Sequence, residues 1–238
     1  MINQKISGLS LFFPAWNEEK NIKGTIEKAL SVMEKATFPF EIIIVDDGSW
    51  DNTKKIAAEL AETTENIRVV SHERNLGYGA AIWTGIREAK YEYTFFADAD
   101  QQFDLNEINE LMKYIPDYQV VLGYRRKRQE NFIRLANAKA WNLLNLLFFG
   151  LKVKDIDCAF KLFKTDLVKN LKTESRGAML SAEILIQLQR RGIKFKEVPV
   201  THLPRRAGSS TGAKLSVILR AFKEFWQTYK RLRHENNN

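Results

Sequence analysis

The chain has 238 residues, of which 45% are hydrophobic and 28% charged, and its formal net charge is +8 at pH 7. This balance excludes a disordered or collagen-like chain and fits one α/β domain or two small ones. The single cysteine, Cys158, excludes an intrachain disulfide and a cysteine-based zinc site, so a reducing compartment such as the cytoplasm is favoured. The excess positive charge indicates an anionic partner: nucleic acid, anionic lipid or a phosphorylated small molecule.

The N-terminal segment lacks the small-residue cleavage site of a signal peptide, and we interpret it as a buried first strand. The longest nearly apolar run, 140–151, contains Asn142 and Asn145, and its length of about 12 residues is short of the roughly 20 that cross a bilayer. We therefore expect neither a signal peptide nor a transmembrane helix.

Along the first half, β-rich runs alternate with segments of helical length, which predicts a doubly wound, mostly parallel sheet flanked by helices. The predicted strands are 8–13, 41–45, 67–71, 93–97 and 119–123, and the predicted helices are 18–36, 52–63, 78–89 and 105–114. Farther on, the pattern predicts helix 132–149, strand 158–163, helix 181–191, strand 196–202 and helix 214–233. Ligands of such sheets bind outside the carboxyl ends of the strands, so the residues that follow each strand are the candidate site.

Acidic pairs follow two of these strands. Asp98 and Asp100 come directly after strand 93–97, and two carboxylates suit a hard cation such as Mg²⁺ or Mn²⁺ whose shell is completed by phosphate oxygens. Asp46 and Asp47 follow strand 41–45. The alternative interpretations are a solvated acidic turn for the first pair and a helix cap for the second.

Basic residues follow the fifth strand, where 125–139 holds six Arg or Lys side chains and one acid. They could clamp phosphate oxygens or form an ordinary solvated surface. A second basic segment, 204–210, combines Arg205 and Arg206 with small residues. A dinucleotide fingerprint is not formed, because Ile82 stands where the third glycine of the pattern would be.

The last predicted helix is amphipathic. Its apolar face and its Lys and Arg residues fit either a helix lying on an anionic membrane or a helix packed on the core with a wet basic face. The three histidines have no ligand spacing and receive no predicted role.

Seven motifs occur in a characteristic order: PAWNEE, VDDGS, RNLGYGAA, DADQQFD, GYRRKR, DIDCAFKLF and EVPVTHLPRRAGSST. Together they resemble the family 2 inverting glycosyltransferases of the GT-A fold, in the polyprenyl-phosphate (dolichol-phosphate mannose synthase-like) branch. The resemblance covers about residues 7–215. It implies a GT-A catalytic domain over 1–213, followed by a basic amphipathic helix and tail over 214–238.

The resemblance also implies a set of site residues. Asp98, Asp100 and Gln102 match the metal and diphosphate site, and Arg125, Arg134 and Arg205 match arginines that handle phosphate. The donor nucleotide contacts implied are Pro14, Trp16, Glu18, Val45, Asp47 and Ala99.

The implied reaction transfers one sugar from a nucleotide-diphosphate sugar, of the GDP-mannose or UDP-glucose type, to a dolichyl or undecaprenyl phosphate, with Mg²⁺ or Mn²⁺ as cofactor. A lipid phosphate is already ionised and needs no protein base, whereas a sugar hydroxyl acceptor would need one, for which Asp157 and Glu183 are the candidates. We expect a peripheral enzyme on the cytoplasmic face of the membrane.

The rival class is a non-catalytic module that binds RNA or DNA through the positive charge. The acidic pairs at the sheet edge argue against nucleic acid, because they repel phosphate when no metal is present. The sequence leaves the sugar, the choice of metal and the oligomeric state open.

Overall fold

The computed structural model describes residues 6–126, 132–205 and 215–234, and for 132–134 and 215–216 it describes the backbone alone. The strands are β1 (Leu9–Ala15), β2 (Phe40–Asp46), β3 (Ile67–Ser71), β4 (Tyr93–Ala97), β5 (Val120–Arg125), β6 (Phe160–Lys164) and β7 (Phe195–Val200). The helices are α1 (Ile22–Met33), α2 (Thr53–Thr63), α3 (Tyr78–Glu88), α4 (Ile108–Met112), α5 (Phe132–Phe149), α6 (Thr165–Lys169), α7 (Met179–Arg190) and α8 (Leu215–His234), with a 3-10 turn at Leu105–Glu107.

The strands of the described residues form one seven-stranded sheet in the order β3-β2-β1-β4-β6-β5-β7. β1 pairs in parallel with β2 and β4, and β3 extends this parallel half. The predicted mostly parallel sheet is confirmed, but β6 runs antiparallel to both of its neighbours. A parallel neighbour requires a crossover back to the opposite edge of the sheet. The connection through α5 does not make that crossover, so β6 begins at the edge where β5 ends.

The core lies on both faces of β1, whose seven residues are all buried. Phe12 stacks on Phe96 of β4 with ring centroids 5.2 Å apart. Helix α3 covers the face of β1 from which Phe12 projects, so closely that a Cβ on Gly85 would be 2.2 Å from the ring of Phe12. Burial on both faces explains why these strands read as continuous apolar runs.

The predicted element bounds agree closely with the structure in the first half of the chain. Helix α1 is shorter than the predicted 18–36 at both ends. A turn precedes it, in which the backbone carbonyl of Glu18 accepts from the N–H groups of Asn21 and Ile22. The short helix α6 was not predicted. Its five residues are too few to give a helical hydrophobic period.

Helix α8 packs against α5 and α7. Phe225 is buried and contacts Trp141 and Phe149 of α5, with ring centroids 5.7 and 5.1 Å away. Arg231 pairs with Glu183 of α7, and Arg190 of α7 donates to the carbonyl of Leu232 at 2.9 Å. Across the described residues, no helix combines the length and hydropathy needed to cross a membrane.

Candidate active site

The parallel half of the sheet brings several polar segments to one edge. β1, β2 and β4 run in the same direction, so the residues after Ala15, Asp46 and Ala97 meet at their carboxyl ends. These segments are the ones in which the sequence predicted chemistry. The edge therefore forms the floor of a candidate site.

Asp98 and Asp100 lie at this edge, Asp98 partly buried and Asp100 almost fully buried. Burial, reinforced by the negative charge of Asp100, raises the pKa of Asp98 to about 7. Burial also raises the pKa of Asp100, an effect that the nearby Arg205 opposes. The hydroxyl of Tyr78 donates to Oδ1 of Asp98 at 2.8 Å, and burial together with Asp98 raises the pKa of Tyr78 well above its usual value.

Arg205, from the segment after β7, reaches this acidic pair. Its Nη2 lies 2.6 Å from Oδ2 of Asp100, and its Nη1 lies 3.7 Å from Oε1 of Glu18. Burial raises the pKa of Glu18, against the hydrogen bond that Asn21 donates to it. Three predicted site residues from distant parts of the chain, Glu18, Asp100 and Arg205, are thus brought together.

The acidic pair suits a divalent cation. The negative charge of Asp100 disfavours ionisation of Asp98, and a cation between the two carboxylates would relieve this repulsion. Carboxylate oxygens are hard ligands of the kind that Mg²⁺ and Mn²⁺ prefer. Within the described ranges, no cluster of three or more His, Cys, Asp or Glu side chains forms a complete metal cage. Asp98 and Asp100 would therefore hold a metal whose remaining ligands come from elsewhere, such as a phosphate.

Gln102, the third predicted metal residue, holds the Arg205 segment in place. Its side-chain nitrogen donates to the carbonyl of Leu203 at 3.1 Å, and its own carbonyl accepts from the N–H of Leu203 at 2.8 Å. An isolated bridge between Phe103 and His202 extends this contact. Gln102 therefore links the acidic loop after β4 to the segment that carries Arg205, and a metal contact from it stays a prediction.

The predicted donor residues line the same edge. Pro14 and Val45 are buried partners in the β1–β2 register, and Ala99 lies between the two acids, with its carbonyl accepting from the hydroxyl of Thr25 at 2.8 Å. Trp16 is partly exposed, and its buried indole N–H has no hydrogen-bond partner among the described atoms. Among the residues predicted to contact the nucleotide, Trp16 therefore has an N–H group that is free to hydrogen-bond to a ligand.

Asp47 was predicted to contact the nucleotide, and the structure gives its carboxylate another set of partners. It accepts from the backbone N–H groups of Leu76 and Gly77 at 2.8 and 2.9 Å, and its Oδ1 lies 2.7 Å from Nδ1 of His72. Nε2 of His72 lies 2.9 Å from the hydroxyl of Thr84. Asp47 therefore organises the loop before α3, and His72, which had no predicted role, orients Asp47.

Arg125 was predicted to bind phosphate, and the structure pairs its side chain with a carboxylate of the protein. Its Nε and Nη2 donate to both oxygens of Asp155, at 2.7 and 2.8 Å, and the pair is buried. The neighbouring Lys161 is also buried, donates to the carbonyls of Ile156 and Cys158, and has its pKa lowered by burial. Asp155 and Lys161 were missed because each looks like an ordinary charge in the sequence. The side chain of Arg134 lies outside the described residues.

The two candidate bases lie in opposite environments. Glu183 is 0% exposed and accepts from the N–H groups of Glu174 and Ser175 and from Arg231. An acceptor cannot approach it, so its predicted role as a base is corrected to that of a buried anchor between α7 and α8. Asp157 is exposed and close enough to Tyr78 to raise the pKa of that tyrosine.

The fold and the sequence are those of a glycosyltransferase family. The family model "Glycosyl transferase family 2" matches residues 10–172, and the chain belongs to this family. A mycobacterial glucosyl-3-phosphoglycerate synthase, crystallised with Mn²⁺ and UDP, superposes with a TM-score of 0.73 at 19% identity, over 94% of this chain and 80% of that one. At that identity the likeness shows the GT-A fold alone, which confirms the predicted fold.

Two curated relatives are similar in sequence. A dolichyl-phosphate beta-glucosyltransferase of Trichomonas vaginalis is 31% identical over 212 residues, which are 81% of this chain and 64% of the relative. An undecaprenyl-phosphate 4-deoxy-4-formamido-L-arabinose transferase of Pectobacterium atrosepticum is 31% identical over 216 residues, or 90% of this chain and 65% of the relative. The chain thus spans slightly less than two thirds of the length of these relatives.

Proposed function

We propose that the protein is a metal-dependent inverting glycosyltransferase. It moves one sugar from a nucleotide-diphosphate sugar, of the GDP-mannose or UDP-glucose type, to a dolichyl or undecaprenyl phosphate. The observation that carries this proposal is the acidic pair at the carboxyl edge of the sheet, in which Asp98 is partly buried, Asp100 is almost fully buried, and Arg205 contacts Asp100. The polyprenyl-phosphate acceptors in the names of the curated relatives support the choice of acceptor.

In the proposed reaction, Asp98 and Asp100 would hold Mg²⁺ or Mn²⁺, which would supply positive charge to neutralise the departing nucleotide diphosphate. Arg205 lies at hydrogen-bond distance from Asp100, so a small movement of its guanidinium would carry it from the carboxylate to a phosphate oxygen. Trp16 and Glu18 border the space in which the nucleoside would bind. The acceptor attacks the sugar from the side opposite the diphosphate, which inverts the anomeric carbon.

The acceptor end of the proposal is a phosphate that needs no protein base. A phosphate monoester is ionised at neutral pH, so it attacks without losing a proton to the enzyme. The burial of Glu183 removes one of the two candidate bases and so favours a phosphate over a sugar hydroxyl. If the acceptor is a sugar hydroxyl in polysaccharide or glycolipid synthesis, the exposed Asp157 would have to act as the base.

A lipid acceptor requires contact with a membrane, and helices α5 and α8 offer an apolar surface for it. We define the α5/α8 surface by its exposed apolar side chains: Leu143, Leu146, Leu147, Phe148, Leu219, Phe222 and Trp226. Phe148 and Trp226 join the two helices, with ring centroids 5.4 Å apart. The exposed Lys223, Lys230 and Arg233 of α8 would attract anionic headgroups. We propose that this surface rests on the cytoplasmic face of the membrane.

The direct test is transfer of radiolabelled sugar from a panel of GDP- and UDP-sugars, with Mn²⁺ or Mg²⁺, to undecaprenyl and dolichyl phosphate in detergent. We expect product with one donor class, loss of product in Asp100→Asn, and full activity in the matched control Asp117→Asn, an exposed residue outside the site. Transfer only to free sugar hydroxyls would favour the alternative acceptor. No transfer and no nucleotide binding, with strong salt-sensitive binding of RNA or DNA, would favour the non-catalytic module.

A further inference from the structure

Tyr78, the first residue of α3, contacts the metal site without belonging to the predicted site. Its hydroxyl donates to Oδ1 of Asp98 at 2.8 Å, although 42% of the residue is exposed. A hydrogen bond to one carboxylate oxygen fixes the rotation of the group and leaves the other oxygen directed elsewhere. Groups that hold a metal ligand in this way tune its affinity for the metal.

The position of Tyr78 is fixed by contacts that the residues just before it and just after it make with two other segments. On one side, Asp47 accepts from the N–H groups of Leu76 and Gly77. On the other side, the N–H of Ala80 donates to the carbonyl of Arg176 at 3.1 Å. Gly79 is equally close to this second segment, since a Cβ there would be 2.5 Å from the carbonyl oxygen of Gly177. The start of α3 is therefore clamped between the loop after β2 and the segment 175–177.

Segment 175–177 is in turn held by helix α8. The carboxylate of Glu224 is almost fully buried and accepts from the N–H groups of Arg176 and Gly177 at 3.3 and 3.1 Å. Arg220, one turn earlier, donates to Glu224 at 3.1 Å, and its guanidinium also lies against Gly77. A continuous series of direct contacts thus runs from α8 to segment 175–177, then to the start of α3, and ends at Asp98.

We propose that Tyr78 is a positioning residue for Asp98, and that Glu224 of α8 acts on the same carboxylate by fixing the start of α3. The inference rests on the proposed function, because it gives Asp98 a metal to bind. It makes the C-terminal helix part of the metal site as well as part of the α5/α8 surface. Loosening Glu224 would then weaken metal binding at a carboxylate that Glu224 does not touch.

The test measures Mn²⁺ affinity of the full chain by electron paramagnetic resonance of free Mn²⁺, with the melting temperature of the metal-free protein as a folding control. Tyr78→Phe keeps the ring and removes the donor, and we expect the Kd to rise about tenfold, at the lower end of the range for groups that orient a metal ligand. Glu224→Gln should raise it by a smaller factor. The double variant should bind no more weakly than Tyr78→Phe alone, because both changes act through one hydrogen bond.

Arg190→Gln is the matched control, since it removes a different contact to α8, the one with the carbonyl of Leu232, and should leave the Kd unchanged. An unchanged Kd in Tyr78→Phe would overturn the inference. Additive effects in the double variant, or an equal loss in Arg190→Gln, would overturn the part assigned to Glu224. If Glu224→Gln melts early, Glu224→Asp, which keeps the charge, replaces it. A wild-type chain that binds no Mn²⁺, even with UDP or GDP, would instead overturn the proposed function.

Discussion

Arg205 and Asp100 are 105 positions apart in the chain, and Nη2 of the arginine lies 2.6 Å from Oδ2 of the aspartate. The pair is asymmetric, because the Asp100 side chain is 6% exposed and the Arg205 side chain 25%. The guanidinium therefore supplies, in the metal-free protein, part of the positive charge that a metal would bring. A cation bound to Asp100, as proposed, would compete with Arg205 for the same carboxylate oxygen.

This competition predicts that Arg205→Gln strengthens Mn²⁺ binding while it slows sugar transfer. A partly exposed ion pair contributes about 1 kcal/mol, so its loss should lower the Kd for Mn²⁺ about fivefold. Turnover should fall because the variant has no guanidinium to bind the departing phosphate. Titration with Mn²⁺ and a transfer assay measure the two effects, with Lys113→Gln, which removes an exposed ion pair elsewhere, as the control. An unchanged Kd would mean that Arg205 does not compete with the metal.

The raised pKa of Asp98 predicts how the stability of the metal-free protein depends on pH. The carboxyl group has a pKa of about 7 in the folded chain against 3.8 for its ordinary value, so between these pH values the folded state binds more protons than the unfolded state. The free energy of unfolding contributed by Asp98 therefore falls as the pH rises through this window. Asp98→Asn should stabilise the protein more at pH 8 than at pH 5.

Urea unfolding of wild type and Asp98→Asn at both pH values, without metal, measures this difference. Comparing the two proteins at each pH removes the contributions of other titrating groups. Asp117→Asn, which replaces an exposed carboxyl group outside the site, is the matched control. A stability gain that is equal at pH 5 and pH 8 would contradict the raised pKa of Asp98.

The sequence predicted the parallel half of the sheet because its physical signals are local. Strands β3 and β4 occupy the predicted ranges 67–71 and 93–97, since each is an apolar run of strand length bounded by polar residues. Parallel strands end at one edge, so the motifs that follow them were expected to meet there. The approach of Arg205 to Asp100 follows from that rule and from the direction of β7, which is parallel to β5.

The sequence does not show which charged side chains pair with one another in the folded protein. Arg125 lies in a basic run that resembles a phosphate clamp, but the fold brings Asp155 to it from 30 positions away. Glu183 lies in a helix that is buried nearly all around, so the apolar residues beside it were the signal that it would need an internal partner. The antiparallel β6 was equally unpredictable, because strand direction depends on the path of α5 and not on the composition of β6.

The Arg125–Asp155 pair predicts a large loss of stability when one partner is removed. Asp155→Asn removes the carboxylate to which both Nε and Nη2 of the buried Arg125 side chain donate, which should lower the free energy of unfolding by about 3–5 kcal/mol. Urea unfolding measures the loss, and Asp166→Asn, at an exposed position in α6, is the control. A loss as small as that of the control would contradict the burial of the pair.

A double variant, Arg125→Met with Asp155→Leu, separates the structural role of this pair from the predicted phosphate role of Arg125. Replacing a buried ion pair by apolar side chains is often close to neutral, so most of the stability should return. If Arg125 also binds phosphate, sugar transfer should stay low in this refolded variant. Recovery of both stability and transfer would show that Arg125 serves the fold alone.

The α5/α8 surface predicts reversible binding to anionic vesicles. Leu147 and Trp226 are 70% and 48% exposed, so their side chains are available to insert at the headgroup boundary. Because burying a large apolar side chain contributes about 1.5–3 kcal/mol, Leu147→Gln and Trp226→Gln should each lower the partition coefficient by about ten- to a hundredfold. Flotation with phosphatidylglycerol vesicles measures the partition coefficient. Lys223→Glu should weaken binding to these anionic vesicles at low salt, and it should leave binding to neutral vesicles unchanged.

Trp50 provides the matched control for this experiment. It is 81% exposed, more than Trp226, but it belongs to the loop after β2 and not to the α5/α8 surface. If membrane binding depends on that surface, Trp50→Gln should bind vesicles like wild type although it removes the more exposed tryptophan. Equal losses in Trp50→Gln and Trp226→Gln would mean that any exposed aromatic residue promotes binding, and the assignment of the membrane contact to α5 and α8 would be wrong.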